Sequence, residues 1–135
     1  MAEAGLPTML VGGTAAEMIL GYDSTIHAPL DFLITLTAGV KRGAPHVFVM
    51  GDMPFLSYQV DEASAISNAG RFMTEGNADA VKLEVDGNWV DRFAAICNAG
   101  IAAVAHLGSK PQQAKQTGGY TTAGRSADAA HTIIK

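Results

Sequence analysis

Val47-Phe48-Val49-Met50-Gly51-Asp52-Met53-Pro54-Phe55-Leu56-Ser57-Tyr58 is the stretch whose reading decides the fold. Its leading apolar residues, β-branched and aromatic among them, predict a short strand buried on both faces, as a parallel sheet requires. Gly51-Asp52 ends the run and Met53-Pro54-Phe55 turns the chain, so a carboxylate stands at the carboxyl end of the strand. In open parallel sheets and (β/α) barrels, that edge is where ligands bind. Asp52 is thus the first candidate site residue, although an Asp there also serves simply to open a turn or cap a helix.

Toward the amino terminus, Thr8-Met9-Leu10-Val11 predicts another buried strand, closed by Gly12-Gly13-Thr14. Residues 2–7 read as the last turn of a helix, with Gly5 just past its end and Pro7 preventing continuation. Residues 15–28 read as irregular, with a loop at 21–25. Pro29 opens a helix whose apolar face is Leu30, Leu33, Ile34, Thr37 and Val40, closed by Lys41-Arg42-Gly43.

Toward the carboxyl terminus, Asp61 caps a helix carrying Ala65, Ala69, Phe72 and Met73 on one face, ended by Gly76. Ala80-Val81-Lys82-Leu83-Glu84 is the third strand. Asn88 caps a helix with Val90, Phe93, Ala94 and Cys97 inward, stopping near Gly100. Ala102–Ala105 is the fourth strand, with His106 at its end. A glycine-rich loop from Gly118-Gly119-Tyr120 to Gly124-Arg125 follows, and Ser126 opens a last helix. Strands and helices that alternate with short links predict a parallel α/β architecture with right-handed crossovers. No linker, low-complexity segment or internal repeat divides residues 1–135, which read as one domain.

The 135 residues are 48% hydrophobic and 16% charged, with 15 glycines. The net charge of −4 and the absence of a basic cluster argue against nucleic acid as a partner. A single cysteine, Cys97, makes no internal disulfide and fits a reducing compartment. No apolar run approaches the ~20 residues of a membrane span, and the first residues lack the pattern of a signal peptide. The expectation is a soluble, cytoplasmic chain with no membrane partner.

The strand ends deliver Gly13-Thr14, Asp52, Lys82 with Glu84, and His106. Side chains two apart in a strand share a face, so Lys82 and Glu84 point the same way. Burying both is costly unless each finds a partner. Those partners are each other, solvent at an edge strand, or a metal ion or anionic substrate. Asp52 and Glu84 at neighbouring strand ends suit Mg²⁺, which takes one or two carboxylates and keeps waters or substrate oxygens. Lys82 would neutralise the carboxylate or enolate of a bound acid. His27, His46 and His131 read as solvated or capping, Cys97 as core, and Gly12-Gly13 as a weak phosphate-turn signal.

Together these segments resemble the ketopantoate hydroxymethyltransferase family, of the phosphoenolpyruvate mutase and isocitrate lyase superfamily. The resemblance is carried in order by Leu10-Val11-Gly12, Gly21-Tyr22-Asp23-Ser24-Thr25, Lys41-Arg42-Gly43-Ala44-Pro45, Asp52-Met53-Pro54-Phe55 with Ser57-Tyr58, Ala80–Glu84, His106-Leu107-Gly108 with Pro111-Gln112, and Gly118-Gly119-Tyr120 with Gly124-Arg125. It implies a (β/α)₈ TIM barrel, of which this chain would hold about four β/α units, truncated at both ends relative to the family. It implies a homo-oligomeric enzyme of pantothenate biosynthesis that uses Mg²⁺. The enzyme moves a one-carbon unit from 5,10-methylenetetrahydrofolate to the 2-oxo acid 2-oxoisovalerate, giving ketopantoate. By the resemblance, Asp52 and Glu84 match metal-site residues. Gly13, Thr14, Asp52, Lys82 and His106 fall at substrate-binding positions, and the family's proton-abstracting glutamate would lie beyond Lys135.

Two departures stand out. The family's Val-Gly-Asp-Ser is Val11-Gly12-Gly13-Thr14 here, so one carboxylate is replaced by Gly13, with Glu17 nearby in sequence. The family's Glu-Gly-Gly turn is Glu84-Val85-Asp86-Gly87, which offers Asp86 as an alternative carboxylate. Two other functions are thereby open: a degenerate, non-catalytic homologue kept for binding or assembly, or another superfamily enzyme acting on a 2-oxo acid. The 135-residue chain alone is expected to be inactive.

Overall fold

The computed structural model describes residues 4–119 and 122–134. Four parallel strands, β1 (Thr8–Val11), β2 (Phe48–Asp52), β3 (Ala80–Glu84) and β4 (Ala103–His106), lie side by side in sequence order. The helices are α1 (Thr14–Leu20), α2 (Leu30–Gly43), α3 (Glu62–Thr74), α4 (Val90–Asn98), α5 (Ala114–Thr117) and α6 (Ala127–Ile134), with 3₁₀ turns at Thr25–His27 and Pro111–Gln113. Each strand pairs with the next in sequence, so every crossover moves one place along the sheet. An order that reverses direction partway, as in doubly wound sheets, is not what these strands adopt.

The register separates the two faces. Val49, Val81 and Leu83 are fully buried, and Val81 and Leu83 join the core with Leu33 and Ile34 of α2, Ala65, Ala69 and Phe72 of α3 and Ile96 of α4. Gly51 makes the α3 contact possible: a Cβ there would lie 2.3 Å from Phe72 Cδ1. The opposite face carries Leu10, Phe48, Met50, Asp52, Lys82, Glu84, Val104 and His106. Leu10, Phe48 and Val104 remain 49%, 43% and 40% exposed. Both β2 and β3 are flanked on both sides, but only β3 is buried along its whole length. The expectation that the Val47–Asp52 strand is buried on both faces therefore holds for one face of β2.

Helix ends follow local chemistry. The Asp61 carboxylate accepts from Ser64 N at 2.7 Å and caps α3, while Lys41 and Arg42 occupy the last turn of α2. Gly5 takes φ +74°, the left-handed backbone expected after a helical turn, although residues 2 and 3 lie outside the described residues. Tyr120 of the glycine-rich loop lies outside them too.

Three expectations need correction. Residues 14–20 form α1 rather than irregular chain: Met18, Ile19 and Leu20 are exposed, which erases the amphipathic pattern, and only Ala16 is buried. The inward face of α4 is Trp89, Phe93 and Ile96, whereas Val90, Ala94 and Cys97 are exposed. The cap of α4 is Trp89, because Asn88 is drawn into the preceding turn by its N–H to Asp86 Oδ1 at 3.0 Å.

Candidate active site at the carboxyl edge of the sheet

The carboxyl ends of the four strands surround a cavity of about 200 Å³. Its wall includes Gly13 and Thr14 after β1, Asp52 of β2, Lys82 and Glu84 of β3, and His106 of β4, so the six site residues expected from sequence meet in one place. Thr25, Pro111 and Gln112 also line that wall, beside Leu10, Gly12 and Pro54, and sequence reasoning selected none of them as site residues.

The register explains the electrostatics. Asp52 and Lys82 are direct partners across β2 and β3, and Lys82 Nζ lies 3.0 Å from Asp52 Oδ1. Lys82 therefore pairs with the neighbouring strand's carboxylate and not with Glu84. The wet-edge alternative also falls away, since β3 is interior to the sheet. Asp52 Oδ2 accepts from the Gly13 N–H at 3.3 Å, which ties the β1–α1 turn to β2. Burial pushes the Asp52 carboxyl above its usual range, against the pull of Lys82 and the Gly13 N–H.

Glu84 is 1% exposed. Its Oε1 accepts from the Gln112 N–H at 3.1 Å, while Oε2 is buried with no hydrogen-bond partner among the described residues. Burial raises the Glu84 carboxyl too, with the Gln112 N–H and Lys82 opposing. His106 moves the other way: burial first, and then the Lys82 charge, depress the imidazolium and leave a neutral ring. Its Nδ1 is buried with no partner among the described residues, as is Thr25 Oγ1.

The loop after β2 is itself constrained. Leu56 adopts φ +66°, a left-handed conformation that costs a residue with a Cβ about 1–2 kcal/mol. Ser57 Oγ donates to Pro54 O at 2.7 Å, and Asn68 Nδ2 of α3 donates to Ser57 O at 2.7 Å. Tyr58 then turns back beneath the site, fully buried, with its ring edge-on to Trp89.

The two alternative carboxylates are elsewhere. Asp86 pairs with Lys110 on a neighbouring cleft lined by Val85, Val90 and Leu107. Glu17 sits in the first turn of α1 and is not part of the cavity wall. Of the histidines set aside, His27, His46 and His131 are exposed. Among the described residues, no group of three or more His, Cys, Asp or Glu stands close enough together to hold a metal ion. No described helix is long and apolar enough to cross a membrane.

A singly wound parallel α/β sheet with a cavity lined by charged side chains at its carboxyl edge defines a class of ligand-binding α/β proteins, many of them enzymes. A model of the ketopantoate hydroxymethyltransferase family matches residues 1–135. A 3-methyl-2-oxobutanoate hydroxymethyltransferase of Mycobacterium avium (strain 104) is 46% identical over 131 residues, covering 97% of this chain and 46% of the relative. The enzyme of that name from Geobacillus kaustophilus (strain HTA426) is 43% identical over 132 residues, 98% of this chain and 47% of its own length. That of Rhodococcus jostii (strain RHA1) is 45% identical over 132 residues, 98% of this chain and 45% of its own. The chain belongs to the ketopantoate hydroxymethyltransferase family, a family of transferases, and spans about half the length of the curated relatives it matches.

Proposed function

We propose that this chain supplies the metal and 2-oxo acid contacts of a hydroxymethyltransferase. The reaction would carry a one-carbon unit from 5,10-methylenetetrahydrofolate to 2-oxoisovalerate, yielding ketopantoate for pantothenate biosynthesis in the cytoplasm. The observation that carries this reading is the convergence of Gly13, Thr14, Asp52, Lys82, Glu84 and His106 on one cavity wall. The surrounding architecture is a TIM barrel, to which this chain contributes four β/α units. The bare sheet face and the open edges of β1 and β4 support that reading, because parallel sheets are normally covered on both sides. Homo-oligomeric assembly, implied by the family resemblance, is part of the same proposal.

The donors present fit Mg²⁺. Asp52 and Glu84 are oxygen ligands on one wall, and Glu84 Oε2 is a buried anionic atom with no partner. Two carboxylates suffice for an ion that completes its shell with water and substrate oxygens. Bound there, Mg²⁺ would supply Lewis-acid polarisation of a 2-oxo acid. Lys82, already within the field of Asp52, offers its ammonium to the substrate carboxylate or to charge developing on an enolate. His106, neutral at physiological pH, contributes a hydrogen bond rather than a charge. The Gly13 and Thr14 turn holds Asp52 through its backbone N–H and borders the cavity. The group that takes the C3 proton is assigned to none of these residues.

A second reading, a non-catalytic homologue kept for binding or assembly, is favoured by Gly13. A Cβ at that position would lie 3.2 Å from Thr25 Cβ, so the carboxylate that the resemblance implies for the family would fit here only if Thr25 gave way by a few tenths of an ångström. Calorimetric titration of 2-oxoisovalerate, with and without Mg²⁺, separates the two. Metal-dependent binding that is lost in Asp52→Ala supports the transferase reading. Absence of binding under both conditions supports the non-catalytic one. Turnover is expected to be absent for the 135 residues alone, and ketopantoate formation by them would overturn that expectation.

A further inference from the structure

Gln112 ties together three segments of the site. It is 8% exposed and lies in the 3₁₀ turn that follows β4. Pro111 occupies the start of that turn, where helical N–H groups lack acceptors within the turn. The Gln112 N–H is thereby free to donate to Glu84 Oε1 at 3.1 Å. Its side-chain Nε2 donates to Met53 O at 2.9 Å, directly after β2. Its Oε1 lies 3.2 Å from the Tyr58 hydroxyl and 3.4 Å from Gln59 Nε2. The Tyr58 hydroxyl is also 3.2 Å from the Glu84 carbonyl oxygen, so its single proton serves one acceptor at a time.

The consequence for Glu84 is asymmetric. One carboxylate oxygen is fixed by a backbone donor, and the other is buried with no partner. Leaving a carboxylate oxygen unsatisfied in the interior is costly, and the surrounding contacts hold Glu84 in that state rather than relieving it. We propose that Gln112 and Tyr58 are positioning residues that clamp Glu84 so that Oε2 is reserved for a divalent cation, coupling completion of the metal site to docking of the Pro111–Gln113 turn. This rests on the metal-site reading above.

The test uses the 135-residue chain, Tyr58→Phe and Gln112→Ala. Tyr58→Phe keeps the ring packed on Trp89 and remains informative if Gln112→Ala fails to fold. Both variants keep the Gln112 N–H and loosen the side-chain bonds that hold its turn in place. Calorimetry with Mg²⁺ alone should therefore show affinity weakened about 10–100-fold, the usual effect of changing an outer residue that orients a ligand, while far-UV circular dichroism stays native. A folded Tyr58→Phe variant with wild-type Mg²⁺ affinity overturns the proposal. If the wild-type chain binds no Mg²⁺, the metal-site reading fails, and the clamp is judged on the metal-free protein by NMR. Loss of hydrogen-exchange protection at the Gln112 amide in Tyr58→Phe then supports the clamp, and unchanged protection overturns it.

Discussion

Replacing Glu84 with Gln is expected to stabilise the fold and to abolish the cation binding proposed for this site. The carboxylate has up to four lone-pair sites, yet one protein donor reaches it, the Gln112 N–H. The nearest cation, Lys82, is committed to Asp52. An amide keeps the acceptor for Gln112 and removes a buried charge whose other oxygen has no partner. Relieving a destabilised functional group of this kind yields about 1 kcal/mol, or roughly 3–5 °C in Tm for a domain of this size. The pH dependence distinguishes this cause from better packing. Burial raises the Glu84 carboxyl above its unfolded value of 4.5, so the folded state binds the proton more readily than the unfolded one. The cost of the charge is then present at pH values above the raised folded-state pKa and disappears below the unfolded one. Urea titrations of wild type and Glu84→Gln should differ most above the raised folded-state pKa and converge as pH falls below the unfolded value of 4.5. Added Mg²⁺ should raise the wild-type midpoint alone, by mass action. A variant less stable than wild type at neutral pH, or a gain indifferent to pH, would refute the reasoning.

Three further predictions concern the frame. Gly51→Ala drives a methyl to within 2.3 Å of the Phe72 ring and should cost about 1–3 kcal/mol of stability in urea titration; a shift under about 0.5 kcal/mol would show that α3 yields easily. Asp79→Asn removes the charge that accepts from Lys41 Nζ at 2.6 Å and from the Val49 N–H at 2.7 Å, and should cost about 1–3 kcal/mol at neutral pH. Hydrogen bonding from Lys41 and Val49 lowers the Asp79 carboxyl below 3.8, so this stability is present above that value and fades as pH falls through the lowered one; a loss that persists in acid would contradict it. Cys97, exposed on α4, should react with a thiol reagent in the native protein without unfolding; labelling that waits for unfolding would return it to the core.

What the sequence made legible follows from what kind of signal each element carries. The strands were legible because short apolar runs ending in Gly, Asp, Glu or His have few other interpretations, and their ends bring the six candidate residues to one cavity wall. Helix α1 was not, since its exposed Met18, Ile19 and Leu20 break the pattern that betrays a half-buried helix. On α4 the face was misjudged by one position: Ile96 is inward and Cys97 outward, a rotation that spacing alone leaves undetermined when both neighbours are apolar. The partner of Lys82 was undetermined for another reason. Sequence places Lys82 and Glu84 on one face, but only the cross-strand register sets Lys82 beside Asp52. Gln112 carries no charge and no periodicity; the proline before it, just beyond a strand end, is the one local hint that its N–H is free.

The two ends of the sheet treat their carboxylates in opposite ways. At the amino edge of β3, Asp79 is met by an ammonium and a backbone N–H, and its proton is held less tightly than in the unfolded chain. At the carboxyl edge, Asp52 and Glu84 hold theirs more tightly, because burial outweighs the donors supplied. The sequence has polar residues enough to satisfy a carboxylate when only stability is at stake, as Lys41 does for Asp79. Undercompensation at the other edge is therefore local and specific, and it leaves two buried anions and one cation, Lys82, along a single wall. Such an arrangement would be neutralised by a ligand bearing positive charge, and the divalent cation proposed above would restore the balance while taking oxygens from an acid on its open side. The same imbalance that makes Glu84 costly to the folded chain is what would give a cation its binding energy.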